Sequence, residues 1–241
     1  MLRGKVAIIT GGARGIGRYI AQGFAGEGAR VAIADVDAAR LDQTAAELRA
    51  TGREVLAVPT DVRDEDAVRG LMARVADHFG QIDVLVNNAA IVPHLNWGGP
   101  GWPLIRDMDR AFWDRVIETN LGGAFLCTKH VLPYLEARRT GHIINLHGGG
   151  NRPGACAYVV TKDALVAFTR MVAEEVRPAG VCVVILSPGA AIATEDAPEE
   201  ARQRMPGPEF AGNRFLLAAE APLALSGHLL RLRDGRLEIE A

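Results

Sequence analysis

Short apolar runs alternate with longer amphipathic stretches along the 241 residues of the chain. This alternation is typical of β–α–β units, in which helices connect parallel strands. Seven strands are predicted, over residues 5–10, 30–35, 54–59, 84–87, 142–147, 181–187 and 228–232. Helices are predicted from a glycine-rich turn to about residue 28, over 38–51, 64–79 and 109–138, from near Tyr158 to about 176, and over 208–219. Proline lacks an amide donor, so Pro133 implies a kink or an early end in the helix over 109–138.

Nothing in the sequence indicates a second domain, because it contains no internal repeat, low-complexity tract or linker. The length suits one large α/β domain with a sizeable core. We therefore expect residues 1–241 to form a single doubly wound Rossmann-type domain, with a mostly parallel seven-stranded sheet and helices on both faces. Ligands of such folds lie at the carboxyl ends of the strands, so the cofactor and the substrate are expected in this same domain.

Composition narrows the classes of partner. The formal net charge of −2 provides no basic surface for nucleic acid or for an acidic membrane. The first apolar run is too short for the core of a signal peptide or for a membrane span. Three isolated cysteines and six scattered histidines lack the spacing of metal ligands, and so few cysteines suit a reducing compartment. We expect a cytoplasmic protein with no metal site, no nucleic-acid partner and no membrane contact.

The turn between the first strand and the first helix is rich in glycine and reads Thr10-Gly11-Gly12-Ala13-Arg14-Gly15-Ile16-Gly17. Glycines allow the backbone to turn tightly and to approach a pyrophosphate without a Cβ in the way. The helix that follows presents free amides and a partial positive charge at its N-terminus. Many strand–helix turns use one glycine, but this cluster follows the first strand of a β–α–β series and predicts a dinucleotide site.

Charges around the second strand bear on the choice of dinucleotide. Asp35 lies at the strand end, where a carboxylate can accept hydrogen bonds from an adenosine ribose and would repel a 2′-phosphate. Arg14 is a contrary indication, because an arginine in the turn can bind a phosphate. We give Asp35 more weight and predict NAD, with NADP as the less favoured cofactor. Asp61 either binds the adenine amino group or is an ordinary loop carboxylate, and Asp37 is interpreted as the N-cap of the helix that begins at Ala38.

Tyr158 and Lys162 lie four residues apart in a predicted helix, so their side chains share one helical face. A nearby cation favours the phenolate and lowers the pKa of a tyrosine. Moving that pKa from about 10 to about 7 requires roughly 4 kcal/mol. A tyrosine poised in this way can exchange a proton with an alcohol or a carbonyl group. The same spacing also arises by accident on helices, so the weight of the pair depends on the motifs around it.

Further segments accompany the glycine turn and the Tyr158–Lys162 pair in a fixed order: Asn87-Asn88-Ala89-Ala90, Glu118-Thr119-Asn120-Leu121 and Pro188-Gly189. With this ordered set, nearly the whole chain resembles the short-chain dehydrogenase/reductase family. The resemblance implies that Tyr158 is the general acid/base, that Lys162 binds the nicotinamide ribose and lowers the pKa of Tyr158, and that Asn120 anchors a water in a proton relay. Together with the residues introduced above, the expected cofactor-binding set is Gly11, Arg14, Gly15, Ile16, Gly17, Asp35, Asp61, Val62, Asn87, Ala89, Tyr158, Lys162, Pro188, Gly189, Ile192 and Thr194. Asn87 and Thr194 also have a simpler interpretation as capping residues.

One feature of the family is missing. The family usually places a serine just after the fifth strand, where its hydroxyl polarises the substrate oxygen, but here the stretch reads Leu146-His147-Gly148-Gly149-Gly150-Asn151. The first serine of the chain is Ser187, and the segment up to Tyr158 is about three residues shorter than the family norm. His147 is a tentative substitute, because a neutral imidazole can donate one hydrogen bond, and the alternative is a histidine packed at a strand end. Loss of one positioned donor typically costs about a hundredfold in rate.

The stretch between Ala90 and Asn120 is about eight residues longer than the family norm and contains Trp97 and Trp102. These tryptophans suit either the wall of a pocket for an apolar or ring-shaped substrate or a subunit interface. The segment over 195–206, where the family carries a mobile lid, is short and charged. We therefore expect the pocket to be open on that side.

Two functions follow from these observations. The first is an NAD(H)-dependent oxidoreductase that transfers hydride between nicotinamide and a secondary alcohol or its ketone, a small-molecule substrate. The alternative, motivated by the missing serine, is a catalytically impaired dinucleotide-binding protein with a regulatory or scaffold role. Family members are commonly dimers or tetramers, so a homodimer or homotetramer is expected. The tail over 231–241 runs past the usual ending and could alter that assembly.

Overall fold

The computed structural model describes residues 2–92, 102–149, 153–195, 197, 199–207 and 209–240. Its strands form one eight-stranded sheet in the order β3-β2-β1-β4-β5-β6-β7-β8. The strands are β1 (Val6–Thr10), β2 (Arg30–Asp35), β3 (Val55–Pro59), β4 (Val84–Asn87), β5 (Gly141–Leu146), β6 (Val181–Leu186), β7 (Leu229–Arg233) and β8 (Arg236–Ile239). The α-helices are α1 (Gly15–Gly26), α2 (Ala38–Ala50), α3 (Glu65–Phe79), α4 (Arg110–Ile117), α5 (Gly123–Arg138), α6 (Cys156–Val176), α7 (Glu199–Arg202) and α8 (Glu209–Ala218). The doubly wound α/β prediction is confirmed.

The sheet has one strand more than the sequence analysis predicted. Strands β1 to β7 are parallel, and β8 pairs antiparallel with β7 through the register Leu232↔Leu237 and Arg233↔Arg236. Asp234 and Gly235 form the two-residue turn between them, with φ angles of 48° and 77°. Positive φ at both central residues matches the right-handed twist of a hairpin, which explains why Asp-Gly occurs here. The tail therefore belongs to the sheet, as an extra edge strand.

Alternate residues of the central strands pack into two different hydrophobic layers. Ile9 and Val86 join the layer that contains Phe24 of α1 and Phe215 of α8, whereas Ile8 packs with the layer on the opposite face. Strands covered on both faces read as continuous apolar runs, because every position is buried. The strand order reverses at β1, since β2 lies on one side of it and β4 on the other. This reversal opens a crevice at the carboxyl ends of the strands, where α/β folds bind ligands.

The single helix predicted over 109–138 is divided into α4, a π-helical turn over Glu118–Gly122, and α5. Such π turns are rare and occur frequently at functional sites. Asn120 lies within this turn and is buried. Pro133 does not end α5, which continues to Arg138, so an early end at this proline is a wrong prediction.

Among the residues described, no helix has the length and apolar character needed to cross a bilayer. Nor does this part of the chain bring three or more histidine, cysteine, aspartate or glutamate side chains together in a metal-binding group.

Candidate active site

A cleft of about 780 Å³ opens at the carboxyl ends of β1, β2, β4, β5 and β6. It gathers most of the residues selected from the sequence. The predicted residues that line it are Gly11, Arg14, Gly15, Ile16, Asp35, Asp61, Val62, Ala89, His147, Tyr158, Lys162, Pro188, Gly189, Ile192 and Thr194. Gly17, Asn87 and Asn120 lie outside this lining, and each supports the cleft from behind.

The glycine turn places the start of α1 directly against the end of β1. A Cβ on Gly17 would overlap the carbonyl oxygen of Gly11, so no other residue fits at this contact. The amide of Gly15, the first residue of α1, donates a hydrogen bond of 2.9 Å to Oε1 of Glu195. Glu195 was not predicted from the sequence, because it contacts Gly15 across 180 residues and no local sequence pattern marks such a contact. A carboxylate at this amide illustrates the attraction of a helix N-terminus for anions.

Asp35 is fixed by two backbone amides. Its Oδ2 accepts from the amide of Ala13 at 3.2 Å, and its Oδ1 accepts from the amide of Asp37 at 3.1 Å. The carboxylate therefore ties the end of β2 to the glycine turn while still lining the cleft. The Asp37 side chain accepts from the amide of Arg40 at 3.1 Å, which confirms its predicted role as the N-cap of α2.

Asp61 forms an ion pair with Arg63 at the rim of the cleft. Arg63 Nη2 donates to Asp61 Oδ2 at 2.6 Å, and Arg63 Nε lies 3.0 Å from Oδ1. The hydrogen bonds and the charge of Arg63 lower the pKa of Asp61. The carboxylate is therefore ionised at neutral pH, with part of its accepting capacity used by Arg63.

Asn87 belongs to a buried chain of polar side chains rather than to the lining of the cleft. Its Nδ2 donates to Asn145 Oδ1 at 2.8 Å and to Thr128 Oγ1 at 3.2 Å. Asn145 in turn donates to Thr169 Oγ1 at 2.9 Å. The chain joins α5, β4, β5 and α6 beneath the carboxyl end of the sheet. These bonds connect the two strands to the flanking helices, whereas Oδ1 of Asn87 is buried without a partner among the described residues.

Asn120 connects the π turn to two neighbouring segments. Its Oδ1 accepts from the amide of Ile91 at 2.7 Å, and its Nδ2 donates to the carbonyl of Ile91 at 3.0 Å. A further bond of 3.2 Å reaches Thr161 Oγ1. Thr161 Oγ1 donates to the carbonyl of Tyr158 at 2.6 Å. Asn120 is thus linked to the first turn of α6, and its role in a proton relay stays a prediction.

Tyr158 and Lys162 are both buried in α6 at the cleft wall. Lys162 Nζ donates to the carbonyl oxygen of Leu146 at 2.8 Å and lies 5.6 Å from the centroid of the Tyr158 ring. Burial raises the pKa of Tyr158 to about 12 and lowers the pKa of Lys162 to about 8. The net shift of the Tyr158 pKa is therefore upward, opposite to the predicted direction, and the separate contribution of Lys162 stays a prediction. The physical reason is that burial disfavours both charged forms, and the ammonium is directed at a carbonyl.

His147 and Gly148 occupy the place where a serine was expected. The amide of His147 donates to the carbonyl of Leu186 at 2.9 Å, and its half-buried imidazole lines the cleft. Burial, and then the charge of Lys162, lower the pKa of His147, while Glu240 and Asp163 act in the opposite direction. The imidazole is consequently neutral at pH 7 and can donate from one nitrogen only.

Gly148 has the closer relation to the tyrosine. A Cβ on Gly148 would overlap the hydroxyl oxygen of Tyr158 and would lie 3.1 Å from its Cζ atom. No side chain can therefore stand at position 148 while Tyr158 keeps this position.

Trp102 packs against Tyr158, and the sequence analysis did not foresee this contact. The two rings meet edge to face, with centroids 6.5 Å apart and an interplanar angle of 81°. The ring of Phe112 also packs edge to face against Trp102, with ring centroids 5.1 Å apart. Trp102 is buried and is not among the residues that line the cleft, so it supports the tyrosine instead of forming a wall. Trp97 lies outside the described residues.

The segment expected to leave the cleft open contributes to its rim. Met205 lines the cleft, and the amide of Ala193 donates to the carbonyl of Pro206 at 2.9 Å. The contact of Glu195 with α1 adds a second connection across the opening. The described part of this segment therefore borders the site, and the openness of the pocket on that side stays a prediction.

Comparison with known proteins agrees with this geometry. The sequence pattern of the short chain dehydrogenase family matches residues 5–204. The chain is 40% identical over 188 residues to cis-4-hydroxycyclohexanecarboxylate dehydrogenase of Sinomonas cyclohexanicum, covering 77% of this chain and 72% of that one. It is 34% identical over 207 residues to the 3-oxoacyl-(acyl-carrier-protein) reductase FabG of Staphylococcus aureus, covering 83% and 81%. Among solved structures, a metagenomic short-chain oxidoreductase in complex with NADP has a TM-score of 0.75 and 32% identity, covering 91% of this chain and 92% of that one.

Proposed function

Because the chain belongs to the short-chain dehydrogenase/reductase family and is an NAD(P)-dependent oxidoreductase, we propose that it interconverts a secondary alcohol and its ketone, with NAD(H) as cofactor and Tyr158 as general acid/base. The observation that carries this proposal is the meeting of Tyr158, Lys162 and the glycine turn in one cleft. The relatives named above act on a ring alcohol and on a 3-oxoacyl group, by their names. Both names are compatible with chemistry at a secondary carbon.

The described residues fit a dinucleotide. The turn offers bare backbone at Gly11 and Gly15, which have φ angles of 66° and 56° that other residues rarely adopt. The N-terminus of α1 points into the same cleft and already binds a carboxylate oxygen of Glu195. With the Glu195 carboxylate displaced from the Gly15 amide, the turn and the amides of α1 would hold the pyrophosphate, and Asp35 would accept from the adenosine ribose.

The chain's own side chains donate and accept the proton. A bound nicotinamide supplies or accepts the hydride. During ketone reduction, the Tyr158 hydroxyl donates its proton to the carbonyl oxygen, and during alcohol oxidation the phenolate accepts it back. Burial keeps Tyr158 protonated at neutral pH, so it is ready to act as an acid. The Lys162 ammonium lies 5.6 Å from the ring centroid and stabilises the negative charge that develops on the oxygen.

Asp35 supports NAD over NADP, because a fixed carboxylate at the end of β2 would repel a 2′-phosphate. Arg14 in the cleft and the NADP complex of the metagenomic relative make NADP the alternative. Quenching of protein fluorescence by NADH and by NADPH measures both affinities on the same sample. We expect NADH to bind more tightly.

The catalytic role is tested by Tyr158→Phe, with a panel of secondary alcohols and ketones and NADH absorbance as the readout. Turnover should fall below detection while NADH binds as it does to the unchanged protein. Tyr134→Phe is the matched control, because Tyr134 packs in the hydrophobic layer behind α5 and is not among the residues lining the cleft. Retained turnover in Tyr158→Phe would remove the tyrosine from the mechanism.

We also propose that the chain assembles as a homodimer or homotetramer. Phe125 of α5 and Met171 of α6 are 47% and 56% exposed, which places apolar side chains on two neighbouring outer helices. Light scattering coupled to size exclusion should give a mass two or four times that of one chain, and a monomer mass at micromolar concentration would refute the assembly.

A further inference from the structure

The hydroxyl of Tyr158 lies against the backbone of Gly148, in space that any side chain at that position would need. An ideal Cβ on Gly148 would overlap Tyr158 Oη, and the next ring atom, Cζ, would be 3.1 Å away. The neighbouring glycine is different, because no atom of the described residues other than its chain neighbours lies within 4 Å of a Cβ on Gly149. The close approach is therefore specific to position 148 and is not a general property of this glycine-rich loop.

The Tyr158 ring is also held on another side. Trp102 packs edge to face against it, and Trp102 is in turn packed against Phe112. A Cβ on Gly154, which has a φ angle of 86°, would overlap the carbonyl oxygen of Trp102, so the loop before α6 lies directly against this tryptophan. The ring consequently cannot move toward Trp102 without disturbing this packing.

These contacts provide a structural explanation for the missing serine. Within the described residues, no hydrogen bond holds the Tyr158 hydroxyl. Its position is set by packing, with Trp102 on one side and the Gly148 backbone on another. A serine at position 148 would place its Cβ at the site of the hydroxyl, so serine and this tyrosine position exclude each other.

We propose that Gly148 is a positioning residue for Tyr158: the absence of a side chain at this position admits the tyrosine hydroxyl to the loop after β5, and a serine there would displace the hydroxyl instead of assisting it. The inference rests on the proposed function for its catalytic consequence. The polar contact with the substrate oxygen then comes from Tyr158 without a partner hydroxyl at position 148. The short loop and the glycine in place of serine together leave space for the Tyr158 hydroxyl.

The kinetic test compares Gly148→Ala and Gly148→Ser with the control Gly149→Ala. Misplacement of a reacting group by about 1 Å can cost roughly a hundredfold in rate. We expect both changes at position 148 to lower kcat by about that factor, with a cofactor affinity within about twofold of the unchanged protein. Gly149 also lines the cleft, but its Cβ would not overlap Tyr158, so Gly149→Ala should lower kcat far less than Gly148→Ala. Equal rates in Gly148→Ala and Gly149→Ala, or a Gly148→Ser variant as active as the unchanged protein, would overturn the proposal.

A double-mutant cycle tests the same contact without relying on turnover. The midpoint of thermal unfolding, Tm, is measured for Gly148→Ala with tyrosine and with phenylalanine at position 158. Removing the hydroxyl removes the atom that the Cβ would overlap, so Gly148→Ala should lower Tm clearly with tyrosine and much less with phenylalanine. Contacting residues show such non-additivity, and independent ones do not. Equal shifts in both backgrounds would refute the contact.

The two experiments separate the two claims. Coupling in the thermal cycle without turnover by the unchanged protein would refute the proposed function and keep the steric relation between Gly148 and Tyr158. Turnover that depends on Tyr158, with no coupling in the cycle, would refute the role of Gly148 and keep the proposed function.

Discussion

At the nucleotide end, the cleft is lined largely by the first two β–α units, which supply the glycine turn and Asp35. Asp61 from the loop after β3 lies at the rim, and Glu195 contacts the Gly15 amide. At the proposed substrate end, residues from three distant segments meet: Trp102 from before α4, the backbone of Gly148 from after β5, and Tyr158 from α6. The nucleotide end is thus defined by local backbone geometry, and the substrate end by long-range packing. A substitution at the first end should act mainly on cofactor affinity, and one at the second end mainly on the chemical step.

After Tyr158→Phe, the largest effect is expected from Lys162→Met, which removes a buried ammonium while keeping a similar side-chain volume. Loss of one group that stabilises developing charge typically costs about a hundredfold or more in kcat. Steady-state reduction of a ketone measures this loss. Lys129→Met is the control, because Lys129 pairs with Glu65 at 2.6 Å on an exposed face. A Lys162→Met variant with unchanged kcat would contradict a role for the ammonium.

The pH dependence sharpens the same prediction. The pKa of Lys162 is lowered to about 8, so the ammonium is present below that pH and is lost above it. The kcat of ketone reduction in the unchanged protein should therefore fall as the pH rises through about 8. The fall near that pH should be absent from Lys162→Met. A profile that is flat up to pH 10 would refute the link between the charge of Lys162 and turnover.

The next effect concerns the nucleotide end. Asp35→Ser removes the carboxylate that would repel a 2′-phosphate and keeps a hydrogen-bonding oxygen. We expect NADPH affinity to rise and NADH affinity to fall, each by about tenfold, or roughly 1.4 kcal/mol. Asp37→Ser removes a charge two residues away and retains an N-cap, which makes it the matched control. Unchanged ratios of NADH to NADPH affinity in Asp35→Ser would show that another group selects the cofactor.

His147→Ala tests whether the imidazole contributes to the substrate end. If its nitrogen donates to the substrate oxygen, kcat should fall by about tenfold, which corresponds to a hydrogen bond of roughly 1.4 kcal/mol. His228→Ala provides the control, because this histidine is in the turn before β7 and is not among the residues that line the cleft. An unchanged rate in His147→Ala would leave Tyr158 as the donor and remove His147 from the mechanism.

The smallest effect lies outside the cleft and concerns stability. His142 is mostly buried at the start of β5, where its Nε2 lies 3.0 Å from the carbonyl oxygen of Ala221 and its Nδ1 has no partner among the described residues. Burial lowers its pKa in the folded state below the unfolded value of about 6.5. The unfolded chain therefore binds the proton more readily, and the free energy of unfolding should decrease as the pH falls below about 6.5, by at most about 1.4 kcal/mol per pH unit.

Urea unfolding between pH 5 and 8 measures this slope. His142→Gln keeps a donor for Ala221 and has no proton to gain, so its stability should depend less steeply on pH. An identical slope in both proteins would show that His142 is not responsible.

The nucleotide end could be predicted from the sequence because the features expected there depend on residues close together in the chain. Glycine spacing, the position of Asp35 and the N-cap at Asp37 all depend on neighbours within a few residues. Strand β4 was predicted with its observed limits, since a continuous apolar run marks a strand buried on both faces. Strand β8 was missed, although the Asp234-Gly235 pair is a hairpin indication that pattern analysis can use.

The substrate end was only partly accessible. Tyr158 and Lys162 were found by their helical spacing, but the burial that raises the pKa of Tyr158 could not be predicted, because burial depends on the whole fold. The contacts of Trp102 with Tyr158 and of Glu195 with Gly15 join residues that are far apart in the chain. The π turn around Asn120 depends on tertiary bonds to Ile91. None of these follows from local propensity.

The central claim is that the Tyr158 hydroxyl is the group that reaches the substrate oxygen. A crystal structure with NADH and a bound ketone or unreactive alcohol analogue tests it most directly, through the distance from Tyr158 Oη to the ligand oxygen. We expect a hydrogen bond of about 2.5–3.0 Å, with the hydroxyl still against Gly148. A ligand oxygen bound by another side chain, with the Tyr158 hydroxyl out of hydrogen-bonding range, would contradict the account.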